Sequence, residues 1–199
     1  MHSYKNLNNY EKEVITFTIE KASQLCIRLM GLLVVALVVP FVFVHFQSFS
    51  FYFSNFSWLT FGKDIFIFII FTFLGIALHE LIHGLIWALF VKERLSAIKF
   101  GVLWKYLTPY CHCKSHMRVK HYIIGAIMPA IVLGIVPTLW AFLTGSIMLF
   151  FLGIYFIVAA SGDFLIIYLL RNEHHNSYVK DHESLPGCIV YKFKDPIID

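Results

Sequence analysis

Charge is what this 199-residue sequence has least of: Asp, Glu, Lys and Arg together make up 14%, against about 25% in ordinary soluble domains. Hydrophobic residues reach 59%, and Phe alone occurs 21 times. A soluble domain of this length has no core large enough to hide that much apolar surface. A water-solvated globule is therefore excluded, and a bilayer is the expected solvent. A disulfide framework is missing too. Of the four cysteines, Cys26 falls inside an apolar run, while Cys111, Cys113 and Cys188 fall in segments expected to face the reducing cytoplasm. No internal repeat or low-complexity linker is present. The formal charge of +4 calls for no nucleic-acid partner, because juxtamembrane Lys and Arg facing anionic lipid account for it.

What is present is a set of four apolar runs, each near the roughly 20 residues that a membrane-crossing helix requires. They cover about Gln24–Phe46, Asp64–Val91, Tyr122–Leu143 and Ser146–Leu170. The first is too long for the apolar region of a signal peptide and lacks a small-residue cleavage site, so it reads as a retained span. Lys92, Arg94, Lys99, Lys105, Lys114, Arg118 and Lys120 crowd the segment between the second and third runs, and both tails carry further basic residues. The loop after the first run has only Lys63. The excess of basic residues on the cytoplasmic side then puts both termini and the middle loop in the cytoplasm of a multi-pass cell-membrane protein. The expected fold is an all-α membrane protein of about four helices in one membrane-embedded domain, 24–170. Residues 1–23 form a polar segment, a short surface helix or mobile; residues 171–199 form a cytoplasmic tail.

Between the second and third runs, Ile98, Phe100, Val102 and Trp104 alternate with other residues, and Tyr110-Cys111-His112-Cys113 follows a break at Thr108-Pro109. This pattern predicts a cytoplasmic β-hairpin over about 97–113. Aromatic and serine residues over 48–58 suit the outer membrane interface. Gly125, Pro129, Gly134 and Pro137 mark the third run as a helix with kinks and close packing.

The second run contains Leu78-His79-Glu80-Leu81-Ile82-His83-Gly84. Residues four apart share a helix face, so His79 and His83 can direct nitrogens at one metal ion. Glu80 is rotated aside, placed to contact a metal-bound water as the general base; this is the H-E-x-x-H arrangement of zinc hydrolases. A catalytic zinc usually has three protein ligands. The longer form of the motif would put a third His at position 89, where Leu89 stands. Asp163, the one charged residue inside the fourth run, is the better candidate. It lies about 26 Å of helix rise from Ser146, and Leu81 lies a similar rise from Asp64, so the three side chains share one depth. Glu93 lies beyond the end of its span and is the weaker alternative. Cys111, His112 and Cys113 make an incomplete second metal site, and His174, His175 and His182 read as solvated.

The order of these elements resembles the site-2 protease type of intramembrane zinc protease. More closely, the chain is similar to small bacterial membrane proteins grouped as putative zincin peptidases. The resemblance covers about residues 60–170 and is carried by His79-Glu80-Leu81-Ile82-His83-Gly84, by Tyr110 to Cys113 followed by Gly125 to Pro129, and by Ser161-Gly162-Asp163. It implies Zn2+ as cofactor, His79, His83 and Asp163 as ligands, and Glu80 as base. It also implies a membrane-protein or peptide substrate held as an added strand on the hairpin, with Phe100, Val102, Tyr110 and His112 as candidate contacts. Site-2 proteases carry Asn in the span after the hairpin and Gly after the ligand Asp; here Gly125 to Gly134 holds no Asn and Phe164 follows Asp163. The alternative function is a metal-binding membrane protein that transports or regulates without hydrolysis. Oligomeric state has no signature in the sequence.

Overall fold

The structure, a computed structural model, describes residues 10–16, 19–104, 108–182 and 187–193. Strand β1 (Tyr10–Thr16) is followed by helix α1 (Ile19–Val44), the short helix α2 (Phe46–Ser54) and the long helix α3 (Trp58–Phe90). Strands β2 (Ile98–Leu103) and β3 (Thr108–Cys113) then form an antiparallel hairpin, Ile98 opposite Cys113 and Val102 opposite Pro109. The short β4 (Met117–Arg118) leads into α4 (Val119–Pro129), a π-helical segment (Ala130–Ile135) and α5 (Val136–Thr144). Gly145 ends α5 in the left-handed conformation, φ 69°, and the Ser146 hydroxyl caps the next helix by accepting from the Leu149 amide. Helices α6 (Ile147–Ala159) and α7 (Ser161–Leu169) and strands β5 (Tyr178–Asp181) and β6 (Gly187–Phe193) complete the chain.

Three continuous helical stretches among the described residues are long and apolar enough to cross a membrane: Trp58–Phe90, Val119–Thr144 and Ile147–Asn172. A fourth candidate is the pair Met30–Val44 and Phe46–Ser54, bent by 78° at His45. The bend is held where the His45 Nε2 lies 2.9 Å from the Phe142 carbonyl and where Phe41, fully buried, stacks 3.7 Å from Phe150. The stretch expected at the outer interface is thus mostly the turned-back helix α2.

Helix α3 is built inside out. Its buried residues are Gly75, His79, His83, Gly84, Trp87 and Ala88, while Leu78, Leu81, Leu85 and Leu89 point outward, Leu89 with 76% of its surface exposed. In water that polarity would be inverted. Thirty-three residues rise about 50 Å, longer than a hydrocarbon core of roughly 30 Å.

Both tails depart from expectation. The N-terminal segment, expected as a surface helix or mobile, supplies strand β1, and the C-terminal tail supplies β5 and β6. With β4 they form one antiparallel sheet in the order β1-β6-β5-β4. The fold is mainly helical but not all-α. Alternation explains the sheet: Val179 and Val190 face each other across β5 and β6, Met117 of β4 pairs with Val179, and all three are essentially without solvent contact. They share a core with Trp87, Val119, Tyr122, Leu170 and Cys188. The sheet is thereby fastened to the ends of α3, α4 and α7, where the helical ends converge.

Truncating Met117 to Ala should cost about 2–5 kcal/mol, the usual range for a fully buried side chain of that size. Chemical denaturation in detergent should show this loss, while Phe43→Ala, at 85% exposure, should move the midpoint little.

Candidate metal centre

The buried stripe of α3 brings two imidazoles to one level of the helix, and the break between α6 and α7 brings a carboxylate to meet them. Asp163 stands in the first turn of α7, where the free amides of a helix N-terminus favour negative charge. His79 Nε2 lies 3.2 Å from Asp163 Oδ2, His83 Nε2 lies 3.3 Å from Asp163 Oδ1, and the two Nε2 atoms are 3.1 Å apart. His79 and His83 are 8% and 4% exposed.

The tautomer of His83 is fixed by its other nitrogen. Nδ1 lies 2.9 Å from the carbonyl of Gly125, which only accepts, so Nδ1 carries the hydrogen and the neutral ring turns a bare Nε2 toward His79 and Asp163. The bare His83 Nε2 and the Asp163 carboxylate bring lone pairs and negative charge to one spot, which a hydrogen shared with His79 relieves in part and a cation relieves more fully. Zinc fits. For bonds of about 2.0–2.1 Å at tetrahedral angles the donor atoms lie roughly 3.3 Å apart, close to the three separations here. The Nδ1–H···O=C bond is also the usual second support of a metal-bound His. Among the described residues, this is the one group of three His, Cys, Asp or Glu side chains whose donor atoms all lie within 4.8 Å of one another. Glu93, the weaker candidate ligand, is hydrogen-bonded to Ser115 instead.

Glu80, one position on from His79, is turned toward the hairpin and lies against the backbone of Cys111 of β3. The hairpin can lie this close because Gly84 has no side chain: a Cβ there would sit 2.5 Å from the Phe100 ring and 2.9 Å from Ile98. Of the four candidate substrate contacts, Phe100 and Val102 are exposed on β2, and Tyr110 covers Gly101 across the hairpin. His112 is turned toward the tail, its Nδ1 3.9 Å from Asp181.

Two further residues support the centre and carry no motif. Trp87 stacks on His83 with ring centres 5.1 Å apart, and on Tyr122 at the same separation. Continuing the four-residue step from His79 through His83 would have found it. Asp181 would not have been found, since nothing in Tyr178-Val-Lys-Asp181 marks it. Its carboxylate accepts from the Tyr122 hydroxyl at 2.6 Å and from the Cys113 amide at 2.8 Å. It thus ties the tail sheet to α4 and to the strand that faces Glu80. Burial raises the Asp181 pKa above the usual carboxylate range, against the lowering effect of these two bonds and of His112.

Residues 72–178 match the model of a family described as putative zincin peptidase. The chain belongs to that family. No curated protein and no solved structure matches it. The zincin match starts two helical turns before His79 and ends at Tyr178, so it encloses the His79–His83 pair, Glu80, the hairpin and Asp163, and stops short of Asp181. The family's description implies zinc and suggests a metallopeptidase. The second cluster, Cys111, His112 and Cys113, does not assemble as a site of this kind. Burial pushes the Cys113 thiol up to about 11 and raises Cys111 further, which favours the neutral thiol at both.

Two measurements probe these surroundings. Removing the carboxylate in Asp181→Ala strands the Tyr122 hydroxyl and the Cys113 amide, at about 1–3 kcal/mol each, which thermal unfolding should register. Cys113 and Cys188, the latter pushed up to about 12 by burial, should resist alkylation between pH 7 and 9 in the folded protein and react fully once unfolded. The thiolate fraction grows only as pH approaches the raised pKa, and site-resolved mass spectrometry reads the outcome.

Proposed function

We propose that this zincin-family chain is a membrane-embedded zinc endopeptidase that cleaves a membrane protein near its cytoplasmic boundary. The observation that carries the reading is the convergence of His79, His83 and Asp163 around one point, with a carboxylate on the adjacent residue, in a helix whose outward face is leucine and phenylalanine. The direction of the helices supports the location. The N-terminus of α1, the C-terminus of α3, the N-terminus of α4 and the C-terminus of α7 adjoin the sheet and hairpin segments, the segments richest in Lys and Arg. By the positive-inside rule that end faces the cytoplasm. His83 is seven residues, about 10 Å of rise, from the end of α3 at Phe90.

His79, His83 and Asp163 would hold the metal, and Gly125 and Trp87 would fix the plane of His83. A zinc ion held there would supply a Lewis acid for a carbonyl and would make a water much more acidic than in bulk, with a pKa of about 7. Glu80 takes the proton of the attacking water and returns it to the leaving amine, a role that contributes ~10²–10⁴-fold in comparable general acid–base steps. A peptide bond inside an intact helix is shielded by its own hydrogen bonds, so the substrate must be extended at the site. The exposed Phe100 and Val102 on β2 offer an apolar surface for such a strand, and pairing along a sheet edge is a general way to hold one.

The rival reading, a metal-binding membrane protein without hydrolytic activity, shares the ligands but not the need for Glu80. Purified wild-type protein should hold one zinc per chain, and both His83→Ala and Asp163→Ala should lose it. Glu80→Gln should keep the zinc while cleavage of a membrane-protein substrate panel falls by ~10²-fold or more. Equal processing by wild type and Glu80→Gln would rule out the protease. Loss of zinc in the histidine variant alone would return Asp163 to a structural role.

A further inference from the structure

Proline has no amide hydrogen, so within a helix the carbonyl four residues earlier loses its ordinary donor. Pro129, inside α4, does this to Gly125. The Gly125 carbonyl is the one that accepts the Nδ1–H of His83, at 2.9 Å and fully buried. Gly125 also leaves room at the site for a side chain of α3, since a Cβ on it would overlap the indole of Trp87, the ring stacked on His83. One short segment of α4, Gly125 to Pro129, thus provides both an unclaimed acceptor and the closeness that lets an imidazole from another helix reach it.

We propose that Pro129 is a positioning residue of the metal centre: by withholding its N–H it reserves the Gly125 carbonyl for His83 and so sets which nitrogen of that ring faces His79 and Asp163. The residue acts through the carbonyl and touches neither metal nor substrate. Pro137 provides the internal contrast. It lies about 12 Å of helix rise further along the same span, just after the π-helical segment Ala130–Ile135, where amides bond five residues back as Val136 does to the Ile131 carbonyl, so the hydrogen it lacks is withheld from that segment and not from Gly125. A missing amide is common to both prolines, whereas a role in orienting His83 belongs to Pro129 alone.

The test compares full-length Pro129→Ala and Pro137→Ala with wild type in detergent. In metal-free protein labelled with 15N-histidine, the His83 resonances, assigned by their loss in His83→Ala, should report a hydrogen on Nδ1 in wild type and in Pro137→Ala. In Pro129→Ala the restored amide competes for the carbonyl, and the ring should become a mixture of tautomers. The second arm rests on the zinc reading: chelator competition should show zinc held ~10-fold more weakly by Pro129→Ala, as for loss of other supporting partners of a ligand His, and unchanged by Pro137→Ala. The thermal midpoint of Pro129→Ala should not fall, because an alanine suits a helix interior better than proline. An unchanged tautomer in Pro129→Ala would overturn the proposal, as would equal loss of zinc affinity in both variants. Should wild type take up no zinc, the zincin reading fails, while the tautomer arm still decides the role of Pro129.

Discussion

Three lone-pair donors facing one another at 3.1–3.3 Å in a mostly buried site form the constraint on which the remaining architecture turns. An ionisable residue at the centre of a membrane helix costs about 2.5–3.5 kcal/mol on insertion scales, and here two imidazoles and two carboxylates lie within one neighbourhood. A proton shared among them would relieve some of the repulsion. A divalent cation relieves all of it, with a binding free energy that reaches about 10–16 kcal/mol in closed structural zinc sites. That difference in scale makes the metal the more economical explanation for why such residues are retained among leucines and phenylalanines.

The surrounding helices can be understood as the means of holding those donors still. Between helices in a bilayer the apolar side chains gain little from meeting each other, because lipid tails are equally apolar; close backbone approach and buried polar contacts decide the packing instead. The contacts here follow that rule. Gly75 admits the Phe156 ring, Gly125 admits Trp87 and Gly84 admits Phe100, so α6, α4 and the hairpin close around α3 from different sides. The bond from His83 to the Gly125 carbonyl and the pairing of both histidines with Asp163 then join α3 to α4 and α7. Site and scaffold are the same set of contacts.

Much of this geometry was legible because it depends on distances along single helices. The spacing of His79 and His83 and the matched rise of Leu81 and Asp163 within their spans require only a period of 3.6 and a rise of 1.5 Å per residue. The hairpin strands, Ile98–Leu103 and Thr108–Cys113, fall where alternation and Pro109 place them. The terminal sheet was not legible. Strand β1 finds its partner more than 170 positions away in β6, and pairing over such a separation leaves no local signature in either segment. Asp181 was hidden for the same reason: its partners Cys113 and Tyr122 lie 68 and 59 positions earlier. The turn of α2 back against α1 was hidden too, since a run of aromatic and serine residues describes an interface equally well whether or not it coils.

Asp181 also changes how the boundary of the functional unit is drawn. The family match ends at Tyr178, which would leave β6 and the N-terminal strand as appendages. Yet Glu80 lies against the backbone of Cys111, and Cys113, two residues along the same strand, donates its amide to Asp181. Asp181 in turn is held in β5 by its pairing with Cys188 of β6, which pairs on its far side with Ile15 of β1. On the proposed mechanism, the strand that flanks Glu80 must be fixed to a fraction of an ångström if that carboxylate is to stay in reach of a proton, and an isolated two-stranded hairpin is only marginally stable. The sheet built from both ends of the chain is what gives β3 a rigid neighbour, so the two tails belong to the site as fully as the helices that carry its ligands.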